Sequence, residues 1–221
     1  MDQPNFRADM HCHSTFSDGT MTPRELIDEA KARGLQWLSI TDHDSIMAYD
    51  TDVQAYAQKE GVELVTGIEL SCRLEQEPIH ILGYALDPQS ADLRQLCERH
   101  IQRREERNLK IIERLKGRGI LVDYEAICEN NSGVIGRPHI ATELIEQGLV
   151  KNMQEAFDKY LGDKRPCCPP GVSFSVEEAV EIIHLAGGKA PAIVRKLPRR
   201  GLGRLGSNVS RTTAGAVYAG I

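Results

Sequence analysis

The 221-residue chain contains no run of 18 apolar residues, so no stretch of it is long enough to cross a bilayer as a helix. Its first residues, MDQPNFRADMH, lack the basic-then-apolar pattern of a secretory signal. These two absences predict a cytoplasmic protein without a membrane partner. Six cysteines (Cys12, Cys72, Cys97, Cys128, Cys167 and Cys168) include no Cys-x-x-Cys pair, and in a reducing compartment all six are expected as free thiols. An excess of positive charge is missing as well. The net charge of −5 argues against attachment to long duplex DNA or any long nucleic-acid backbone, while leaving room for a local basic cleft. Apolar content of 41% and charged content of 27% are those of an ordinary globular protein. The length suits one sizeable core, with or without a small insertion.

A further deficit is local. Residues 190–221 hold six Lys and Arg but no Asp, Glu or His, whereas residues 1–189 hold all 32 acidic residues. Two readings account for so abrupt a change: a shift of the coding frame near residue 190, or a genuine basic, glycine-rich tail.

Against these absences stands one dense cluster, Asp9-Met10-His11-Cys12-His13, followed by Ser17-Asp18-Gly19. In an extended strand, Asp9, His11 and His13 share a face. Imidazole and carboxylate are ligands for zinc, manganese or iron. By itself a His-x-His pair fits a solvent-facing strand end equally well. Thr22-Pro23-Arg24-Glu25 then predicts a helix start, with Thr22 as N-cap, proline in the first turn and Glu25 closing a capping box. Short apolar strands at 35–40, 62–68 and 78–84 alternate with a helix expected over 46–60. Polar, metal-capable residues stand beside them: Asp42, His43 and Asp44, then Glu69, then His80. That alternation predicts an α/β fold of barrel-like form, with the site at strand ends.

Between 90 and 131 the apolar period becomes helical. Arg99, Arg103, Arg104, Arg107, Lys110 and Arg114 fall on the other faces. These residues are either a solvated surface or a basic lid over an anionic substrate. Gly136-Arg137-Pro138-His139 opens another helix, whose N-terminus suits an anion. Helices at 152–161 and 176–186 follow.

In order, DMHCHSTFSDGTMTP, ITDHDS, GIELS, HILGY, GRPH and AGGKA resemble the PHP (polymerase and histidinol phosphatase) phosphoesterases, most closely the bacterial branch acting on nucleoside 3′,5′-bisphosphates and short RNA ends. The resemblance implies a distorted (β/α)7 TIM-like barrel with a helical insertion. It divides the chain into 1–89 (first part of the barrel), 90–135 (insertion), 136–189 (continuation) and 190–221 (the atypical tail). It also implies up to three divalent cations, Mn, Fe or Zn. His11 and His13 would hold one, sharing the bridging Glu69 with a second; His80 and His139 would complete the second set; Asp18 and His43 would serve a third. His11, His13, Glu69 and His43 then stand nearest the chemistry. Asp9, Asp42 and Asp44 are expected behind the ligands, orienting imidazoles.

Clustered cations activate water for displacement at phosphorus, and Arg137, Arg104 and Arg107 are candidates for binding phosphate. The implied activity is hydrolysis of nucleotide phosphate monoesters, with trimming of short RNA from its 5′ end. The alternatives are a histidinol-phosphate phosphatase, or a degenerate module that binds metal or phosphate without turnover. The chain departs from the family in lacking an Ala-His-Pro after AGGKA and a late Gly-x-Asp-x-His. No histidine follows His184, and the barrel is expected to be truncated in its last strands.

Overall fold

Capped helices alternating with short apolar strands build the first sheet of the protein, whose computed structural model describes residues 7–75, 77–131, 133–169, 174–195 and 215–218. Strands β1 (Ala8–Cys12), β2 (Trp37–Ile40) and β3 (Glu63–Leu64) pair in parallel in that order. Helix α1 (Pro23–Ala32) begins with the expected capping box. The Glu25 N–H donates to Thr22 Oγ1 at 3.3 Å, and the Glu25 carboxylate accepts from the Thr22 N–H at 2.8 Å. Helix α2 (Thr51–Glu60) starts later than the expected residue 46, because Asp50 caps it by accepting from the Val53 N–H at 2.7 Å. Ahead of that cap, the Tyr49 hydroxyl donates to Ile40 O at 2.6 Å and accepts from the Ile40 N–H at 2.9 Å, which ties the segment to β2.

The strand expected over 62–68 divides into β3 and β4 (Gly67–Leu74), and β4 turns back on β5 (Glu77–Tyr84) as an antiparallel pair. This corrects the expectation of a parallel alternation continuing through β5. The two-residue link cannot carry the crossover that a parallel neighbour requires, and Glu75 takes φ 54° in making the turn. The second sheet runs β6-β4-β5-β7-β8, with β6 (Phe174–Ser175) parallel to β4. Strands β7 (Lys189–Arg195) and β8 (Gly215–Tyr218) are antiparallel. The sheets meet at a bridge between His43 and Glu69. No closed barrel forms among the described residues. Apart from β7 and β8, the basic tail lies outside them, and so does the question of its reading frame.

Three apolar cores result. The first lies between α1, α2 and the parallel sheet (Ile27, Leu38, Ile40, Val53). The second lies under β4 and β5 (Ile68, Leu70, Ile79, Ile81). Helix α3 (Ala91–Lys116) seals the second core with Leu93, Leu96 and Cys97, and its far half enters the third with Ile111 and Leu115. There it meets α4 (Tyr124–Glu129), α5 (Arg137–Glu146), α6 (Met153–Ala156) and the π turn Phe157–Leu161. Helix α7 (Val176–Leu185) is capped by Ser175, as expected. All six cysteines are free thiols, and no described helix is long and apolar enough to cross a membrane.

Where the two sheets join, crowding by neighbouring side chains favours glycine. A Cβ on Gly67 would stand 2.2 Å from Ser39 Oγ and 2.9 Å from Thr41 Cγ2. Gly67→Ala is therefore expected to lose about 1–3 kcal/mol, the usual cost of overpacking, measured as a lower urea midpoint. An unchanged midpoint would mean that the junction is loosely packed.

Candidate metal centre

β1 delivers His11 and, just past its end, His13 to the site, although not with the regular alternation their spacing suggests. The register slips between Asp9 and Cys12, the mark of a bulge that re-aims side chains. Asp9 is exposed, and Asp9 Oδ1 accepts from the His11 backbone N–H at 3.2 Å. It holds the strand, where an imidazole partner was expected. The following loop folds over itself tightly enough that a Cβ on Gly19 would fall 2.0 Å from His13 O. This turn brings Asp18 back beneath His13.

Glu69, 2% exposed, stands at the centre. Its Oε2 lies 3.0 Å from His11 Nε2, 3.1 Å from His13 Nε2 and 3.7 Å from His43 Nδ1, while Oε1 lies 2.6 Å from His80 Nδ1. Asp18 reaches the other side, 3.6 Å from His13 Nδ1 and 3.8 Å from His43 Nε2. The result is three overlapping triads whose ligand atoms all lie within 4.8 Å of one another: His11, His13 and Glu69; His13, Asp18 and His43; His43, Glu69 and His80. Burial alone would raise the Glu69 pKa, but the charge of His43 and hydrogen bonds from His11, His13 and His80 hold it far below the usual carboxylate range. For His13, burial works downward and is outweighed by Glu69 and the nearby aspartates, so its pKa is raised. His43 goes the other way, pushed down by burial to about 4. Its Nδ1 is buried without a hydrogen-bond partner. A neutral imidazole beside an ionised carboxylate is the donor set that fits a divalent cation.

His139 does not join these triads. At the start of α5 its Nδ1 accepts from the Gly136 N–H at 3.0 Å, and its electrostatic neighbours include Asp18 and Arg104. The expected grouping with His80 and Glu69 is not among these triads, and the carboxylate in its electrostatic surroundings is Asp18. Its GRPH turn fixes it there: the backbone N–H occupies one ring nitrogen.

The aspartates of the Asp42-His43-Asp44 segment also have partners other than those expected. Asp42, fully buried, accepts from the Ser14 N–H at 2.8 Å, the Ser14 hydroxyl at 2.6 Å and the Ser17 hydroxyl at 2.6 Å. Ser17 Oγ in turn lies 3.4 Å from His13 Nδ1. Asp42 thus reaches an imidazole only through Ser17. Asp44 accepts from the Ser71 N–H at 2.7 Å and from Arg104 through both Nε, at 2.8 Å, and Nη2. The imidazole nearest Asp44 is His100, at 3.4 Å. Ser14, Ser71 and His100 were not singled out from the sequence, and Ser17 entered only as part of the motif around Asp18. Hydroxyls flanking His13 and Asp18 were the available signal for two of them; for His100 only helical spacing with Arg104 existed.

Above the triads opens a cleft of about 160 Å³, lined by Asp18, His43, His80 and by Arg103, Arg104 and Arg107 of α3 and Arg137 of α5. The arginines of α3 at the cleft are therefore a wall of it. Arg104 Nη2 also donates to Ser71 Oγ at 2.8 Å. Arg137 donates to Leu161 O at 2.9 Å and to Asp163 Oδ1 at 3.0 Å. Arg107 reaches Cys168 Sγ at 3.5 Å. Burial next to Arg137 lowers the Arg107 pKa.

His100, 4% exposed, is pushed down to about 4 by burial, with Arg104, Arg103 and Arg99 adding to the effect and Asp44 opposing it. Between the unfolded value of about 6.5 and that folded value, the unfolded chain binds a proton that the native state does not, so stability falls as pH is lowered through this window. His100→Phe is expected to remove this loss. Relative to wild type, the variant should gain about 2–4 kcal/mol between pH 6.5 and pH 4, measured by urea melts across pH. A constant difference would overturn the assignment.

Comparison with known proteins agrees with this geometry. Residues 9–162 match the PHP domain family. The chain is 36% identical over 182 residues to a 5′-3′ exoribonuclease of Haemophilus influenzae, covering 82% of this chain and 66% of that protein. It is 34% identical over 184 residues to a 3′,5′-nucleoside bisphosphate phosphatase of Chromobacterium violaceum, covering 82% and 64%. The chain thus spans slightly under two thirds of the length of these relatives. A crystal structure from Bifidobacterium adolescentis, bearing the name of a metal-dependent phosphoesterase, superposes with a TM-score of 0.78 at 28% identity, covering 91% of this chain and 72% of that one.

Proposed function

The chain belongs to the PHP domain family, and from that premise we propose that it is a metal-dependent phosphoesterase acting on nucleotide monoesters. Its substrates are the 3′-phosphate of nucleoside 3′,5′-bisphosphates and the 5′ ends of short RNAs, met in the cytoplasm. The two sheets joined at His43 and Glu69 are read as part of the family's distorted barrel, with the site on its rim. The observation that carries the reading is one buried carboxylate, Glu69, within 3.7 Å of four imidazoles beneath an arginine-lined cleft.

Divalent cations, Mn, Fe or Zn, would be held by His11, His13, Glu69, His43, Asp18 and His80, with His139 on the Asp18 side. When bound, they supply charge that polarises a phosphoryl oxygen and acidifies water. The protein's own residues supply orientation. Asp42 and Ser17 fix the His13 ring, and Asp44 and Ser71 hold the Arg104 guanidinium in place before substrate arrives. Arg104, Arg107 and Arg137 then take the phosphate oxygens.

Phosphate release by the full chain from a nucleoside 3′,5′-bisphosphate, with Mn, Zn or Fe added, tests this. Turnover of the bisphosphate well above that of histidinol phosphate is expected. Release from histidinol phosphate alone would reassign the substrate, and cation binding with no release from either would leave a binding module.

A further inference from the structure

Arg103 sits one helical turn before Arg107 on α3, its guanidinium carbon 4.0 Å from the centre of the Phe174 ring. Arg99 faces the same ring at 4.6 Å, but it is paired with Glu178 at 3.1 Å and does not line the cleft. Arg103 does line it. Among the described residues, no carboxylate stands within ion-pair distance of Arg103. A guanidinium laid against an aromatic ring without a counter-ion is a flat, weakly hydrated shelf, suited to stacking a second planar group. Guanidinium planes serve in this way for unpaired nucleobases.

A second, independent feature lies beside the shelf. The His100 ring lines the same cleft, with its Nδ1 facing Asp44 at 3.4 Å. Its Nε2 is buried without a hydrogen-bond partner. Buried polar atoms are seldom left unpaired, so the orphaned nitrogen marks where a ligand's polar edge would sit. Burial keeps this imidazole neutral at pH 7, and with its Nδ1 proton turned to the Asp44 carboxylate, Nε2 is an acceptor.

We propose that Arg103 and His100 form a nucleobase subsite, Arg103 stacking on the base and His100 Nε2 bonding to its edge. The proposal rests on the nucleotide reading above. From Arg107 to Arg103 is about 6 Å along the helix, comparable with the reach from a nucleotide's phosphate to its base. A phosphate on Arg104 and Arg107 thus leaves the base over Arg103. The subsite makes the enzyme select nucleotides over phosphate esters without a base, with little preference among bases, because every base offers a π face.

The test compares adenosine 3′,5′-bisphosphate with its abasic counterpart, in wild type, Arg103→Met and Arg99→Met, each checked for folding by thermal melt. Wild type is expected to favour the base-bearing compound about tenfold in kcat/KM, mostly through KM. Arg103→Met should lose most of that ratio, whereas Arg99→Met, which disturbs the same Phe174 contact, should retain it. No preference in wild type, or an unchanged ratio in a folded Arg103→Met, overturns the proposal. If neither compound is hydrolysed, the phosphatase reading fails separately, and calorimetry decides the subsite. AMP binding about tenfold tighter than ribose 5-phosphate in wild type, but not in Arg103→Met, supports it; equal binding in wild type refutes it.

Discussion

Glu69→Gln is expected to strip the site of its divalent cations and to reduce phosphate release by at least about 100-fold, the upper range for losing a mere partner of a metal ligand. The substitution conserves shape and removes only charge. Two of the three candidate triads contain this carboxylate, and it is nearly inaccessible, at 2% exposure, so no water can take over its role. Four imidazoles would then face one another around a neutral amide. Cations held without that negative charge should be lost on dialysis, and metal analysis would show less than half the wild-type content. A second readout does not depend on turnover. Added cation stabilises whatever fold binds it, by about 2.7 kcal/mol at a hundred times the dissociation constant. Wild type should therefore melt higher with Mn or Zn than with chelator, and Glu69→Gln should melt alike in both. Full metal content in the variant would remove Glu69 from the centre of the site.

How much of this was legible in the sequence depended on the distance between partners. The capping box of α1 was readable because Thr22 and Glu25 lie within one turn, where local geometry leaves few alternatives. His11, His13 and Glu69 were identified as a set through the ordered motifs, and the structure brings them together. The antiparallel turn at Glu75 was missed because apolar alternation fixes a strand but not the direction of its neighbour. Asp42 and Asp44 were expected to orient imidazoles, whereas their hydrogen bonds go to Ser14, Ser17, Ser71 and Arg104. The Asp44 partner Arg104 lies 60 residues away and belongs to α3, whose basic face reads from sequence as solvated surface or lid alike. Only packing decides which of its arginines turn inward. His139, which lies outside the three triads, shows the same limit: a motif names a ligand type without saying which side of the cluster its helix approaches.

The Asp44–Arg104 pair carries the other large effect, because it joins the helical wall of the cleft to the loop that carries His43. Asp44 is fully buried and accepts from Arg104 and from the Ser71 N–H. Arg104 keeps 22% of its side chain exposed. Removing one member of a buried pair typically costs about 3–5 kcal/mol, because the survivor stays desolvated without compensation. The partial exposure of Arg104 places the expected loss for Asp44→Asn near the lower end, about 3 kcal/mol. Asparagine is the informative replacement. Asp44 has φ 55°, a left-handed conformation that asparagine tolerates, so backbone strain is not added to the loss of charge. Arg104→Met leaves Asp44 buried and unpaired, and should cost a similar amount. The double variant, with neither charge left to strand, should fall well short of the sum. A double-mutant cycle by urea denaturation should give a coupling energy above 1 kcal/mol. Additivity within about 0.5 kcal/mol would show that the two side chains are neighbours without being partners, and Arg104 would then have to be held in the cleft by Ser71 alone.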